Sequence, residues 1–541
     1  MAGRTWRLLG VGLGAVLLML AQLAWAAGQV PGPLVSVLWL QQRLSAADVL
    51  LIDASPAKAH QAQHIAGAVN ADVFSFGAKD VPPATMQQHF QRWGISPDRR
   101  IVIYDEGASM LATRLFWDLH YHGFPMRDVH ILDGGLAKWR ELGDAVTRAA
   151  TPAPAPGRFR ITRLNEEARV RTPEMLLASG DPQGHALIEA LEPNWHFGET
   201  AFFDRPGHIP RGVMMPRADF YNADKTFKSP DELRKMLGYM GVRPEQQVNA
   251  YCGGGVAASV PYFVARFLLG YPNVKLYKES EMGWLQDERG LPFWTYDAPQ
   301  LMRGTAWLRA WGSPMMRLYS DATITVVDVR PAEVFRQGHL PFAVNVPGET
   351  WARLLDQPEQ LAQALGRAGL NPLHEAVVFS DAGLDSSAAL AFVALQGLGQ
   401  HRVSVFMETL DQWAAAGQEV ARQAADAPVP PPQAYAAGPR PAVWLRQPTG
   451  GAGPFPRVFI DAGRTPLAQP PVGTRVQVPQ AELLKPDGTP KAASEIWKRL
   501  EQAGVPRYAE LVSVADDRGA AAANVFLLKL MGFPDVKMLL P

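Results

Sequence analysis

Cysteine is almost missing from this chain: 541 residues contain one thiol, Cys252. A lone thiol excludes an internal disulfide and the two-cysteine chemistry of a dithiol oxidoreductase. Neither sign of charge is in excess, because Lys plus Arg and Asp plus Glu number 52 each. Such a balance offers no electrostatic footprint for nucleic acid or for an anionic membrane surface. Past residue 27 there is no apolar run long enough to span a bilayer. The position six residues after the thiol lacks arginine and holds Ala258, so a cysteine phosphatase would have no bidentate clamp for phosphate. A cysteine protease needs a histidine base near the thiol, and a histidine distant in sequence stays open for that role, but backbone donors around the thiol make such a base unnecessary.

At the N-terminus, Arg4 and Arg7 precede the apolar run "LLGVGLGAVLLMLAQLAWAA", which closes on Ala24-Trp25-Ala26. This layout is that of a secretory signal peptide, expected over 1–27, and it implies a periplasmic or secreted protein with no stable membrane insertion after cleavage, the alternative being an uncleaved N-terminal anchor, for which the run is long enough. A free thiol in an oxidising compartment is a liability unless it is used. The roughly 515 residues that follow exceed what one hydrophobic core serves, so three or four domains are expected.

Self-comparison fixes the number. "IVIYDEGASMLATRLFWDLHYHG" (101–123), "VNAYCGGGVAASVPYFVARFLLG" (248–270) and "VVFSDAGLDSSAALAFVALQGLG" (377–399) align without a gap, and "LVSVADDRGAAAANVFLLKLMG" (511–532) is a fourth copy with a shorter loop. Each reads as an apolar strand, a small-residue loop, an amphipathic helix and a terminal glycine. Asp105 and Asp381 occupy the position of Cys252, and aspartate there is expected to cap the helix. Upstream, each copy has a strand ending in an acid: Asp53, Glu189, Asp328 and Asp461. Three copies follow it with a His-aliphatic segment, at His64, His208 and His339, and these histidines, present where the thiol is not, are expected to be structural. Trp139, Trp284 and Trp413 recur ten residues after the first valine of a further strand and are expected to anchor cores.

Strands alternating with helices predict an α/β architecture of four tandem domains, each a parallel sheet flanked by helices, the fourth degenerate. The expected boundaries are 30–150, 158–300, 301–425 and 442–541, with proline-rich linkers at 151–157 and 426–441. In open parallel sheets ligands sit outside the carboxyl ends of the strands, where each of these loops opens. Cys252 ends a strand and opens a helix, so Gly253, Gly254 and Gly255 let the N–H groups from Gly253 to Ala257 curl into an anion-binding nest while the helix dipole points its positive end at the sulfur. Such surroundings favour a thiolate. His60 and His64 stand at helical spacing without an evident third ligand, so no metal is expected.

"CGGGVAAS", "GHIPRGVMMP", "LDGGLAKW" and "TFKSPDEL" resemble the motifs of the rhodanese superfamily of sulfurtransferases, over nearly all of the chain after residue 27. The resemblance implies rhodanese-like domains of which only the second is active. It implies a sulfurtransferase without a cofactor, in which the Cys252 thiolate takes sulfur from a small donor such as 3-mercaptopyruvate or thiosulfate. The persulfide then gives that sulfur to a thiol or cyanide, or to a protein acceptor. The substrate would meet the backbone of Gly253, Gly254, Gly255, Val256 and Ala257, with Arg205 and Arg211 pairing its charge. Two departures stand out: Leu191 replaces the arginine usual after the strand acid, which the third copy keeps as Arg330, and the loop lacks the basic residues of thiosulfate-preferring members. With three copies lacking the thiol, a sulfur carrier or binding scaffold with little turnover is the competing reading.

Overall fold

A computed structural model describes residues 32–77, 80–318, 323–422, 432–435, 438, 443–448 and 453–540. The expected signal segment and most of the expected linker at 426–441 lie outside them. Among these residues four five-stranded parallel sheets are present, and all four have one strand order, first-fifth-fourth-second-third in chain order. In the first sheet this order is Leu34–Val35, Val129–Leu132, Arg100–Tyr104, Val49–Asp53 and Val69–Asn70. In the second it is Arg169–Val170, Val274–Tyr277, Gln247–Tyr251, His185–Glu189 and Gly212–Met214. The fourth repeat, degenerate in sequence, keeps the full sheet, centred on Glu510–Val514. Strands such as "VLLID" and "ITVVD" are buried at every position, as helices on both faces of a parallel sheet require. Among the described residues no helix is long and apolar enough to cross a membrane.

The described residues fall into two compact units. One takes in the chain up to Leu176 with Met215–Leu233 and Gln247–Ser280; the other takes in Leu177–Met214, Arg234–Gln246 and the residues from Glu281 onward. Within the first, the helix Leu111–Tyr121 packs on Ser259–Phe263 and the π-helical turn Val264–Leu268, Phe116 meeting Phe263 and Phe267 edge-on at 5.0 and 4.8 Å. Within the second, Ser386–Leu398 packs on Arg518–Leu530 through Phe392 and Phe526 at 4.9 Å. The helix after the central strand is thus the pairing element in both units.

Recurrent residues have recurrent partners. Trp139, Trp284 and Trp413 are buried, and their indole N–H groups donate to Ala145, Pro292 and Glu419 carbonyls. His64, His208 and His339 face the carbonyls of His60, His196 and Phe335 through Nδ1 at 2.7 to 2.9 Å, so Nδ1 carries the proton. The acid that ends the second strand of each sheet is buried and partnered in four ways, with Oε1 of Glu189 left without a hydrogen bond. His60 pairs with Asp53 at 2.8 Å, His196 with Glu189, and Arg330 with Asp328 at 2.6 Å, while the Gly463 and Leu467 amides serve Asp461 at 3.1 Å. The arginine replaced by Leu191 therefore has a substitute in His196.

His196 is fully buried between Glu189 and Asp297, the latter accepting from Nε2 at 2.9 Å. Burial alone would push its pKa down, but Asp297 and Glu189 raise it to about 10. A histidine raised above its unfolded value of about 6.5 contributes stability that is complete below that pH and is lost as pH rises through about 10. Calorimetry should therefore find that His196→Gln lowers stability by about 3 kcal/mol near neutral pH and removes part of the parent's decline toward pH 10. An unchanged alkaline slope would contradict the charge assigned to His196.

Candidate active site

Cys252 follows the C-terminal end of Gln247–Tyr251 and is 3% exposed. The expected helix does not open at the thiol: residues 252–258 form a loop, and the helix begins at Ser259. The loop turns back on the sulfur, so that the Gly255 N–H donates to Sγ at 3.1 Å. Gly255 (φ 76°) holds the left-handed conformation of this turn. A Cβ there would stand 2.3 Å from the Lys278 carbonyl oxygen, so backbone angle and space both demand glycine. The amide of Cys252 donates to Ser280 Oγ at 3.1 Å, and that hydroxyl donates to the Tyr277 carbonyl at 2.7 Å. Ser280 accepts φ 52° where the first repeat has Gly135 at 56°, a strained backbone retained by a residue whose hydroxyl orients the cysteine.

The first repeat shows what this loop shape binds. Asp105 stands at the cysteine position, and its carboxylate accepts from the amides of Gly107, Leu111 and Ala112 at 2.8, 3.1 and 2.9 Å. Ala108, three residues on like Gly255, is also left-handed at φ 50°. Burial pushes the Asp105 carboxyl up, and the three amides oppose the shift. Asp105 thus caps the helix from the loop, while Met110 holds the N-cap position. The capping expected of Asp381 is not found. Its carboxylate accepts from the Leu410 amide at 2.6 Å and lies 3.5 Å from Arg330, while Asp385 caps Ser386–Leu398. The third repeat's loop has moved its cap four residues on, so Asp381 is free to serve the next helix.

A helix of the thiol-less first repeat fixes the cysteine loop. Arg114, 1% exposed, donates through Nη1 to the Gly255 carbonyl at 3.0 Å and through Nε to Asp118 at 3.1 Å. Thr113 and Ser259 hydroxyls meet at 2.8 Å, and Arg217 and Tyr221 return bonds to the Ala108 and Ser109 carbonyls. Lys278, next to Gly255, pairs with Asp80 at 3.1 Å. Reading single motifs missed Arg114 and Ser280. The available signal was an Arg–Asp pair at i, i+4 on an apolar helix, aligned with Pro261 and Leu390 in the neighbouring copies.

The other expected site residues divide. Val256 and Ala257 are buried in the loop, and the Val256 carbonyl accepts from Ser259 Oγ at 2.7 Å. Arg205 and Arg211 belong to the second unit. Arg205 donates to the Leu291 carbonyl at 3.1 Å and lies over the Phe293 ring. Arg211 immediately precedes Gly212–Met214 and lines a cavity of that unit. Among the described residues Glu189, His196 and His208 bring metal-ligand atoms within 4.8 Å of one another. The two imidazoles are stacked at 3.7 Å with planes 3° apart, however, and in-plane lone pairs of parallel rings do not converge on one ion. His60 and His64 form the same kind of stack, with Asp53 as the neighbouring acid that the spacing alone did not reveal.

Sheet order, loop and buried thiol together define a protein of tandem rhodanese-type α/β repeats. The family profile described as Rhodanese-like domain matches residues 36–142 and 315–416. "Sulfur carrier protein TtuD" of Thermus thermophilus is 30% identical over 271 residues, which take in 47% of this chain and 94% of that protein. "3-mercaptopyruvate sulfurtransferase" of Escherichia coli is 30% identical over 267 residues, 46% of this chain and 92% of that protein. A solved Escherichia coli structure described under the rhodanese fold and 3-mercaptopyruvate sulfotransferases is 28% identical, covering 46% of this chain and 99% of its own, with a TM-score of 0.42. The chain belongs to the rhodanese family of sulfurtransferases.

The loop geometry makes a direct demand. Gly255→Ala should lower unfolding free energy by about 2 kcal/mol, from left-handed strain and the clash with the Lys278 carbonyl. Urea denaturation measures it, and a variant as stable as the parent would show that the loop does not need this conformation.

Proposed function

We propose that the chain transfers a sulfane sulfur from a small donor to a thiophilic acceptor through a persulfide on Cys252. The Gly255 N–H directed at Sγ carries this reading, supported by the carboxyl group that three amides of the equivalent loop hold at Asp105. The thiolate attacks the sulfur of 3-mercaptopyruvate. The sulfur–carbon bond breaks, its electron pair leaves with carbon, and the donor's thiol proton ends on the methyl group of pyruvate. The persulfide anion on Cys252 is held by the backbone amides of Gly253 to Ala257, until cyanide or a thiol attacks its outer sulfur and restores the thiolate. Thiosulfate would load the same thiolate with release of sulfite.

The donor follows from charge. Arg114 is engaged with Gly255 and Asp118, and Lys278 with Asp80, so the dianion thiosulfate would find backbone dipoles in place of a free cation at the loop. The monoanion 3-mercaptopyruvate needs less compensation and is the favoured donor; the name of the Escherichia coli relative agrees. The pairing expected of Arg205 and Arg211 adds nothing to this reading: Arg205 donates to the Leu291 carbonyl, and Arg211 lines a cavity of the second unit. A carrier with slow turnover is favoured by one observation, the 3% exposure of the thiol, and by the name of the Thermus relative. The proposal includes export, with residues 1–27 removed and the periplasm or exterior as the working compartment.

Steady-state assays with cyanide as acceptor test the reading. The parent should give a kcat/KM for 3-mercaptopyruvate at least tenfold above that for thiosulfate, and Cys252→Ser should produce no thiocyanate while melting as the parent does. Activity retained in Cys252→Ser would remove the thiol from the mechanism. One persulfide per chain without turnover would assign the carrier role instead.

A further inference from the structure

The second unit contains a cavity of about 220 Å³ in which Arg211 and Arg507 lie with Trp497, Met214, Met240 and Met531. Arg211 has φ 63°, and the equivalent residues of the first and third repeats, also three positions after the segment histidine, are Gly67 at 81° and Phe342 at 64°, so two repeats place a side chain at this left-handed position and only the second places a cation there. A non-glycine residue in this region costs of order 1 kcal/mol, and glycine would avoid that cost. The arginine is exposed, and its guanidinium has no hydrogen bond or ion pair to any described residue. Its strained position therefore delivers a cation to the cavity and to nothing else in the unit.

A second observation points to the same ligand. Trp497 is 7% exposed, and its indole N–H has no acceptor, although buried indole N–H groups usually find one. The acid of the lining, Asp297, is already held by His196 at 2.9 Å, so it does not neutralise Arg211. The methionines form an adaptable apolar wall. At about 30 Å³ per water the volume equals roughly seven waters, enough for a single ring or a short branched chain and too small for a nucleotide.

We propose that this cavity binds a small organic anion, a carboxylate or sulfonate on a compact apolar body, whose oxygens meet Arg211 and the Trp497 indole N–H while the methionines enclose the body. The site requires no thiol and gives the fourth repeat, which supplies Trp497 and Met531, a role independent of Cys252.

Isothermal titration of the full mature chain with phenylacetate tests the proposal. Sub-millimolar binding is expected, with phenylacetamide and sulfate at least tenfold weaker, the first lacking charge and the second an apolar body. Arg211→Gly suits the local φ and should weaken phenylacetate binding at least tenfold without lowering Tm. Trp497→Phe should weaken it several-fold, and Cys252→Ser should bind as the parent does. The proposal is overturned by absent phenylacetate binding, by sulfate or phenylacetamide binding equally well, by parental affinity in Arg211→Gly, or by loss of binding in Cys252→Ser.

Discussion

The hydrogen bond from Arg114 to the Gly255 carbonyl is the contact on which the proposed sulfur site depends. It holds a left-handed residue in place, and that residue's own amide faces the sulfur three positions back. The donor sits on a helix of a repeat that has no thiol, buried and braced by Asp118 four residues on. A loop of seven small residues has little side-chain packing to hold it, so rigidity has to come from outside. Arg114 on one side, and Ser280 at the Cys252 amide on the other, supply it.

This arrangement explains why repeats without the thiol persist in the chain. In the first unit the inactive repeat contributes a helix, a clamp for the loop, and in Asp105 a carboxylate bound where the cysteine of its neighbour stands. In the second unit the helices Ser386–Leu398 and Arg518–Leu530 pair in the same manner, but the loop at Asp381 is closed differently: the Leu384 amide donates to the Gly488 carbonyl at 3.0 Å. There the architecture has kept its pairing and given up the receptor.

Much of the fold was legible because repetition exposes it. Four apolar strands ending in an acid, each followed by a second strand, a small-residue loop and a helix, specify parallel sheets, and one copy checks another. The loop's glycines were legible as a group, but which of them must be left-handed was not, since that depends on how close Lys278 comes from a strand more than twenty residues away. Arg114 was hidden for the same reason, its target being 141 residues downstream. The strand acids illustrate a third limit. Asp53, Glu189, Asp328 and Asp461 occupy one position and are partnered by a nearby histidine, a histidine bridging two acids, an arginine and bare amides, and Leu191 conveyed none of this. Helix starts were misjudged at Cys252 and Asp381 because the loop runs on past both, to Ser259 in one repeat and to the cap Asp385 in the other.

The most direct measurement of the central claim is the rate at which Cys252 gains one sulfur atom from 3-mercaptopyruvate, followed by intact-protein mass spectrometry. The comparison is between the parent and an Arg114→Met, Asp118→Leu double variant, in which the whole buried pair becomes apolar and no charge is left stranded. If the clamp sets the loop, the folded double variant should load at least tenfold more slowly. Loading at the parental rate would show that the cysteine loop holds its reactive shape without the first repeat, and would contradict the account.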